Sequence, residues 1–355
     1  MARCDGASLP QKDLLTMASM DIFNNSAFSM TSLTGAVEKT DYKPQLLGEL
    51  GIFEDMPVRT RTVFVDEREG SLTLIPSSPT GAPPEELTKD NRTARPLVTT
   101  RLAKSFTLYA EELQGIRAFG SETELMQVQA EYLRRMARVT DDMELTHEYH
   151  RLGALQGKLL DADGTTVIYD YFAEFGISEP AAINFALTTD TTDVRGKCNA
   201  LTRDMARTSK GAIGPQTQIH ALAGDTFFDN LIKHPEVVKS YLNWAAAAEL
   251  RENSAFQSFR YGGITWHNYR GTDDNSTVAI AANEAKFFPV GARGVFKKAM
   301  APAEFGPFIN TPGRNVYSIN VVDRDRQAWT KGEQYSYPLY FCQRPGVLRK
   351  AVGNS

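Results

Sequence analysis

The residues with the best claim to chemistry lie in Glu144–Arg151, which reads ELTHEYHR, with His147 and His150 three apart and Glu144 and Glu148 beside them. A zinc protease helix needs two histidines at i and i+4, so that both point at one ion, with the glutamate between them as base. Here the spacing is three and no third ligand follows in the sequence. The segment therefore reads as a solvated helix face, and a metal-dependent hydrolase built on Glu144, His147 and His150 is kept as the alternative from another class. Asp161–Gly164 (DADG) opens like a calcium loop, but Thr165 and Phe172 stand where the loop needs its next oxygen ligand and its closing glutamate. A hairpin turn fits better. The nucleophile elbow GxSxG, the phosphate loop GxxxxGK[ST] and the dinucleotide fingerprint GxGxxG do not occur. Gly291–Gly294 (GARG) reads as a turn, and His220, His234 and His267 stand isolated in the sequence. No catalytic, cofactor-binding or metal-ligating residue is assigned, no cofactor is implied, and an enzyme is not expected.

Composition narrows the class. The chain has 355 residues, 42% hydrophobic and 23% charged, as a globular protein with a real core does. Its net charge of −4 carries no block of Lys and Arg, which argues against a dedicated nucleic-acid reader. Three scattered cysteines without a CxxC suit reduced thiols. No apolar run is long enough to span a membrane, and MARCDGASLPQKDLL has no apolar signal core.

The elements that must position these residues can be read from periodicity. Residues 1–45 scatter Phe23, Phe28, Met30 and Leu33 among polar residues and read as an extended arm. Pro44–Phe53 is a short apolar anchor, one helical turn ending at Gly51. Met56–Val65 alternates as a strand with Val58, Thr60, Thr62 and Phe64 on one face. Glu67–Gly70 turns it, Ser71–Ile75 returns, and Leu97–Tyr109 is a second long strand beyond a tip rich in Pro, Gly, Thr and charge. Thr60–Lys104 is thus a hairpin arm with too little apolar surface to fold alone, one that needs another chain to lie against. Ser121 and Glu124 form a capping box for a long helix, 121–157, whose stripe runs Leu125, Val128, Tyr132, Met136, Val139, Met143, Leu152 and Leu155. It would span about 54 Å. Next come a hairpin at Asp163–Gly164 with strand Thr165–Asp170, a helix within Asp190–Lys210 on Val194, Cys198, Leu201 and Met205, a strand Ile219–Leu222, helices Gly224–Ile232 and His234–Leu242, and a strand pair in Phe259–Tyr269 kinked at Gly262–Gly263. Val278–Ala281, Phe287–Val290, Tyr317–Val322 and two runs within Tyr335–Val352 are further strands.

This order, together with PQLLGELGIFEDMPVRTRTVFVDEREGSLTLIP (44–76), TTRLAKSFTLYAEEL (99–113), FFDNLIKHPEVVKSY (227–241), FRYGGITWHNYRG (259–271) and FFPVGARGVFKKAMAPAEF (287–305), resembles the major capsid protein of tailed bacteriophages, in the lambda-like (E) family with the Hong Kong-97-type fold. The resemblance covers nearly the whole chain through order and texture, not through any single diagnostic residue. It implies an α+β fold: an N-terminal arm (1–45); a P-domain (46–175) with spine helix 121–157 and an E-loop at about 58–104 lying over a neighbour; an A-domain (176–290); and closing strands (291–355). It implies a major head protein that assembles hexamers and pentamers into an icosahedral shell around double-stranded DNA, without sequence-specific binding and without a membrane. Its expected partners are a scaffolding protein and a portal, with a decoration protein left open; the short sequence before the arm, where some relatives carry a scaffolding segment, points to a separately encoded scaffold. Its place is the virion, after assembly in the host cytoplasm. An encapsulin-like nanocompartment is the alternative within the fold. On the arm, Arg59, Arg61, Asp66, Glu67, Arg68, Glu85, Glu86, Arg92, Arg95 and Arg101 are expected at contacts between subunits.

Overall fold

Gly51 and Pro57 divide the chain early, the first ending a helical turn and the second the first strand. A computed structural model of the chain describes residues 46–69, 91–114, 124–242, 258–269, 272 and 278–353. The expected N-terminal arm, the return strand Ser71–Ile75, Glu85, Glu86 and the Ser121 cap lie outside the described residues, as do the side chains of Glu67, Arg68, Arg92, Leu125 and Val128.

One helical turn, α1 (Leu46–Glu49), stops where Gly51 takes φ +56°. β1 (Glu54–Pro57) pairs in parallel with a later strand, and Pro57 closes it. After a break at Val58–Arg61 come β2 (Thr62–Glu69) and β3 (Asn91–Val98), an antiparallel ribbon in register from Thr62↔Val98 to Glu69↔Asn91. β4 (Leu102–Tyr109) leads into α2 (Ala110–Gln114), and the 33-residue α3 (Glu124–Gln156) follows. β5 (Lys158–Leu160) and β6 (Val167–Asp170) form the hairpin expected around Asp163–Gly164, with Asp163 Oδ1 accepting from the amides of Thr165 and Thr166. Then come α4 (Tyr171–Glu174), β7 (Ile183–Asn184), α5 (Val194–Thr208), β8 (Gln218–Ala223), α6 (Asp225–Lys233) and α7 (Pro235–Leu242). β9 (Phe259–Tyr261) and β10 (Ile264–Asn268) are joined by Gly262 and Gly263, both at positive φ, as a two-residue hairpin turn requires. β11 (Glu284–Val290), β12 (Phe296–Met300), β13 (Tyr317–Val322), β14 (Trp329–Ser336), β15 (Pro338–Cys342) and β16 (Arg349–Val352) complete the chain.

The contacts divide into two units. The larger unit draws on 43–102, 144–315 and 336–355. It holds a mixed sheet in the order β7-β16-β11-β8-β10-β9, a sheet β1-β12-β15, and the two ribbons β2–β3 and β5–β6. α5 lays Val194, Cys198, Leu201 and Met205 into the core of the six-stranded sheet, with Phe185, Phe227, Trp266 and Phe287. A second cluster joins Leu47 and Ile52 of the anchor to Leu152 and Leu155 of α3. The smaller unit draws its described residues from 103–143 and 316–335, with a sheet β13-β14-β4 and the first part of α3. Tyr132, Met136, Val139 and Met143 are buried along that part, as the stripe requires.

Several expectations change. The single strand Met56–Val65 is two strands in different sheets, and so is Leu97–Tyr109, which breaks at Thr99–Arg101. Thr99 donates to Arg61 O and Thr100 to Pro338 O, so both breaks are held by backbone bonds to other segments. The turn expected at Glu67–Gly70 gives way to strand through Glu69. Val278–Ile280 is irregular, with Val278 N bonded to the Thr272 hydroxyl instead of a ladder. β14 went unforeseen because its buried positions are Thr330, Gly332, Gln334 and Ser336, which invert the usual apolar alternation.

Candidate self-association surface

The ribbon β2–β3 has two faces of opposite fate. Val63, Val65 and Leu97 point inward and join Leu159, Tyr171, Phe175 and Leu339 in a buried cluster. Arg95 reaches the carbonyl of Glu174 and lies over the Phe175 ring at 5.4 Å. Val98 N donates to the Tyr169 hydroxyl at 2.8 Å, and that hydroxyl donates to Val98 O at 3.2 Å. The root of the arm is therefore anchored on its own chain, against the expectation that the whole hairpin lacks support.

A sheet with one face on the core normally carries polar residues on the other. This one does not. Phe64 is 67% exposed and Val98 50%, and Pro96, the cross-strand partner of Phe64, and Ala94 are exposed beside them. Thr62 and Phe64 share this outer face as expected, but Val58 and Thr60 precede the strand. The signal for an outward aromatic was the unbroken run Val63–Phe64–Val65: in a period of two, three apolar residues in a row must put one outside.

A charged set borders the face. Arg61 Nη2 bonds Glu304 Oε2 at 2.7 Å, and Arg101 Nη2 bonds Glu304 Oε1 at 3.0 Å. The two guanidiniums, Arg61 foremost, hold the Glu304 carboxyl below its ordinary range. Arg61 also covers the Tyr337 ring at 5.1 Å. Arg59 and Asp66 are exposed. Of the ten residues read as contacts, Arg61, Arg95 and Arg101 are thus tied into their own chain. The register places Arg68 opposite Arg92 and Glu67 opposite Thr93.

The histidine motif on α3 is no solvated face. His147, 2% exposed, Glu148, His150 and Arg151 are buried. His147 Nδ1 lies 2.9 Å from the Tyr340 hydroxyl and Nε2 3.1 Å from the Ser336 hydroxyl, so both ring nitrogens are engaged and neither is open to a metal. Among the described residues no three metal-ligating side chains converge. The stripe of the helix continues through His147 and His150, and burial of the first part should have extended the inward face to them. His220 and His267, isolated in sequence, meet at 2.9 Å because β8 and β10 are parallel neighbours.

The comparisons agree with this architecture. The family model described as phage major capsid protein E matches residues 29–352. The chain is 25% identical to the major capsid protein of Salmonella phage Felix O1, over 91% of this chain and 95% of the relative. It is 28% identical to that of Pseudomonas phage KPP10, over 78% of this chain and 84% of the relative. Among solved structures it is similar to the capsid of cyanophage A-1(L), with a TM-score of 0.52 at 9% identity over 89% of this chain and 94% of that one. A prophage protein from E. coli CFT073 gives a TM-score of 0.53 at 13% identity over 92% and 99%. With the match running from residue 29 to Val352 at the end of β16, the chain belongs to the phage major capsid protein E family.

Proposed function

We propose that the β2–β3 ribbon is the arm by which one subunit grips the next. The protein is a phage major capsid protein with a Hong Kong-97-type fold, a structural component of the virion that self-assembles into an icosahedral shell. Its family is a class of shell proteins, not of enzymes. The observation that carries the finer reading is the outward apolar face of Phe64, Pro96 and Val98 on a ribbon whose other face is already buried. Burying a side chain such as Phe64 against a neighbour contributes about 1.5–3 kcal/mol. The exposed ion pairs around it contribute about 0–1 kcal/mol each, which suits reversible assembly more than tight binding.

Residues 1–45 act as an N-terminal arm, about 58–104 as the E-loop, 121–157 as the spine helix of a P-domain spanning 46–175, 176–290 as the A-domain, and 291–355 as closing strands. Hexamers and pentamers, a scaffolding protein and a portal complete the shell, which assembles in the host cytoplasm. Double-stranded DNA is enclosed without sequence-specific contacts, in keeping with a net charge of −4.

Phe64→Asp tests the ribbon. The substitution is on an exposed face, so the subunit keeps its melting temperature. Negative-stain microscopy and sedimentation then show closed shells reduced at least about tenfold, the effect of losing about 1.4 kcal/mol at one contact. An unchanged yield of shells from Phe64→Asp overturns the reading.

A further inference from the structure

Glu144–Arg151 of α3 carries two tethers. The first is His147. The single proton of Ser336 goes to Asn315 O at 2.5 Å, so Ser336 Oγ must receive from His147 Nε2–H. His147 Nδ1 then offers a lone pair, and Tyr340 O–H donates to it. Neutral imidazole uses both nitrogens, and it joins the helix to Ser336 at the end of β14 and to Tyr340 of β15. The second tether is Glu148. Its Oε1 accepts from the buried Leu47 amide at 2.9 Å, and its Oε2 is held by Arg151 Nη1 at 3.0 Å. Arg151 also reaches Glu144 at 3.6 Å. Arg151 and Lys298 both lie over the Tyr340 ring, at 5.4 and 5.7 Å.

A second proton on the His147 ring finds no unengaged nitrogen. It would occupy Nδ1, displace the Tyr340 donor, and add a third cation beside Arg151 and Lys298. A charged ring would repel both Lys298 and Arg151, and Arg151 is the one that holds Glu148 on the Leu47 amide. We propose that His147 and Glu148 form an acid-operated latch, which keeps Leu46–Phe53 on α3 at neutral pH and lets that attachment point open when the imidazole is charged.

The other groups facing the site act in both directions. Burial, reinforced by Lys298, Arg151 and His150, holds the His147 imidazole well below its ordinary range, and burial lowers His150 to about 4. A lowered histidine means that the closed form binds fewer protons than the open one, so closure weakens as pH falls through about 6.5. Burial raises Glu144 and Glu148, whose closed forms keep protons that the open forms release, and this favours closure as pH falls. Burial lowers Lys298, which Asp55 partly offsets, and the Tyr269 hydroxyl, itself raised by burial, faces Glu148. The His147 contribution is therefore isolated by difference.

Hydrogen exchange on the full chain, corrected for intrinsic rates, reads the Leu47 and Gly48 amides between pH 7 and 5. His147→Gln is the comparison, since its amide donates to Ser336, accepts from Tyr340 and does not titrate. Protection at Leu47 falls in the parent relative to His147→Gln by about tenfold per pH unit below 6.5, about thirtyfold by pH 5. A parent-to-variant ratio that stays constant with pH overturns the latch, and so does an equal loss at Ala221 in β8, which would mean general unfolding. If His147→Gln does not fold, the His147 ring is titrated by NMR in the parent: a neutral ring at pH 6 supports the proposal, and a pKa near 6.5 overturns it.

Discussion

Gly157 stands directly after α3 at φ +83°, and its carbonyl accepts from Tyr171 N. A Cβ there would overlap the ring of buried Phe172. Gly157→Ala therefore meets two costs, about 1–2 kcal/mol for a left-handed backbone with a side chain and a further 1–3 kcal/mol for the overlap. A fall in unfolding free energy of about 2 kcal/mol or more by denaturant titration is expected, and a loss under about 0.5 kcal/mol would mean that the helix end relaxes freely. This residue was legible only in part. A long helix followed by Gly at 157 is a readable stop, but the ring that fills the space comes from Phe172, and no local pattern announces it. His147 was misread for a related reason. Polar side chains on an inward face look solvated until their hydroxyl partners, Ser336 and Tyr340, arrive from nearly two hundred residues away.

At the scale of elements, helices were easier to read than strands. α5 lies where Val194, Cys198, Leu201 and Met205 placed it, because a period near 3.6 leaves few alternatives. Its start is held by more than its own cap. Asp193 Oδ1 accepts from Gly196 N at 2.6 Å, and Glu236 of α7 accepts from Val194 N at 2.7 Å and Arg195 N at 3.3 Å. Two carboxylates thus satisfy three of the orphan donors at one helix end. Asp193→Ala is expected to cost about 1 kcal/mol, and Glu236→Ala about as much while also freeing α7 from α5. Because the two share one terminus, the double variant should depart from additivity by about 0.5 kcal/mol or more. Strict additivity in thermal or chemical melts would show that each cap acts alone. The strands were harder to read because alternation does not say which sheet a strand joins. Met56–Val65 and Leu97–Tyr109 each look continuous, yet each breaks where the chain leaves one sheet for another. β14 buries Thr, Gly, Gln and Ser, and Gln334 is accommodated only because the Thr140 hydroxyl and Met136 O on α3 take its amide.

For the molecule as a whole, element order carried the fold class while leaving the interface residues blurred. Ribbon, long helix, mixed sheet and closing strands follow one another in the order read from the sequence, and the family model matches across them, whereas no single charged residue on the ribbon announces a contact. The ribbon supplies the decisive whole-molecule test. Glu69 and Asn91 are the last cross-strand pair described, so replacing residues 70–90 with Asn-Gly would close β2 and β3 in their observed register through a two-residue turn. The inward cluster of Val63, Val65 and Leu97 is untouched, and Arg95 keeps its seat on Phe175. The change in subunit stability should therefore stay below about 1 kcal/mol. Assembly should not survive as well. If residues 70–90 lie over a neighbour, their removal deletes contacts repeated at every subunit, and small losses at each multiply across a closed shell. Sedimentation of the variant should show subunits or small oligomers where the parent forms shells. A variant that closes shells at the parent's concentration would confine the gripping surface to the outer face of Phe64, Pro96 and Val98, and would remove the segment beyond Glu69 from the assembly mechanism.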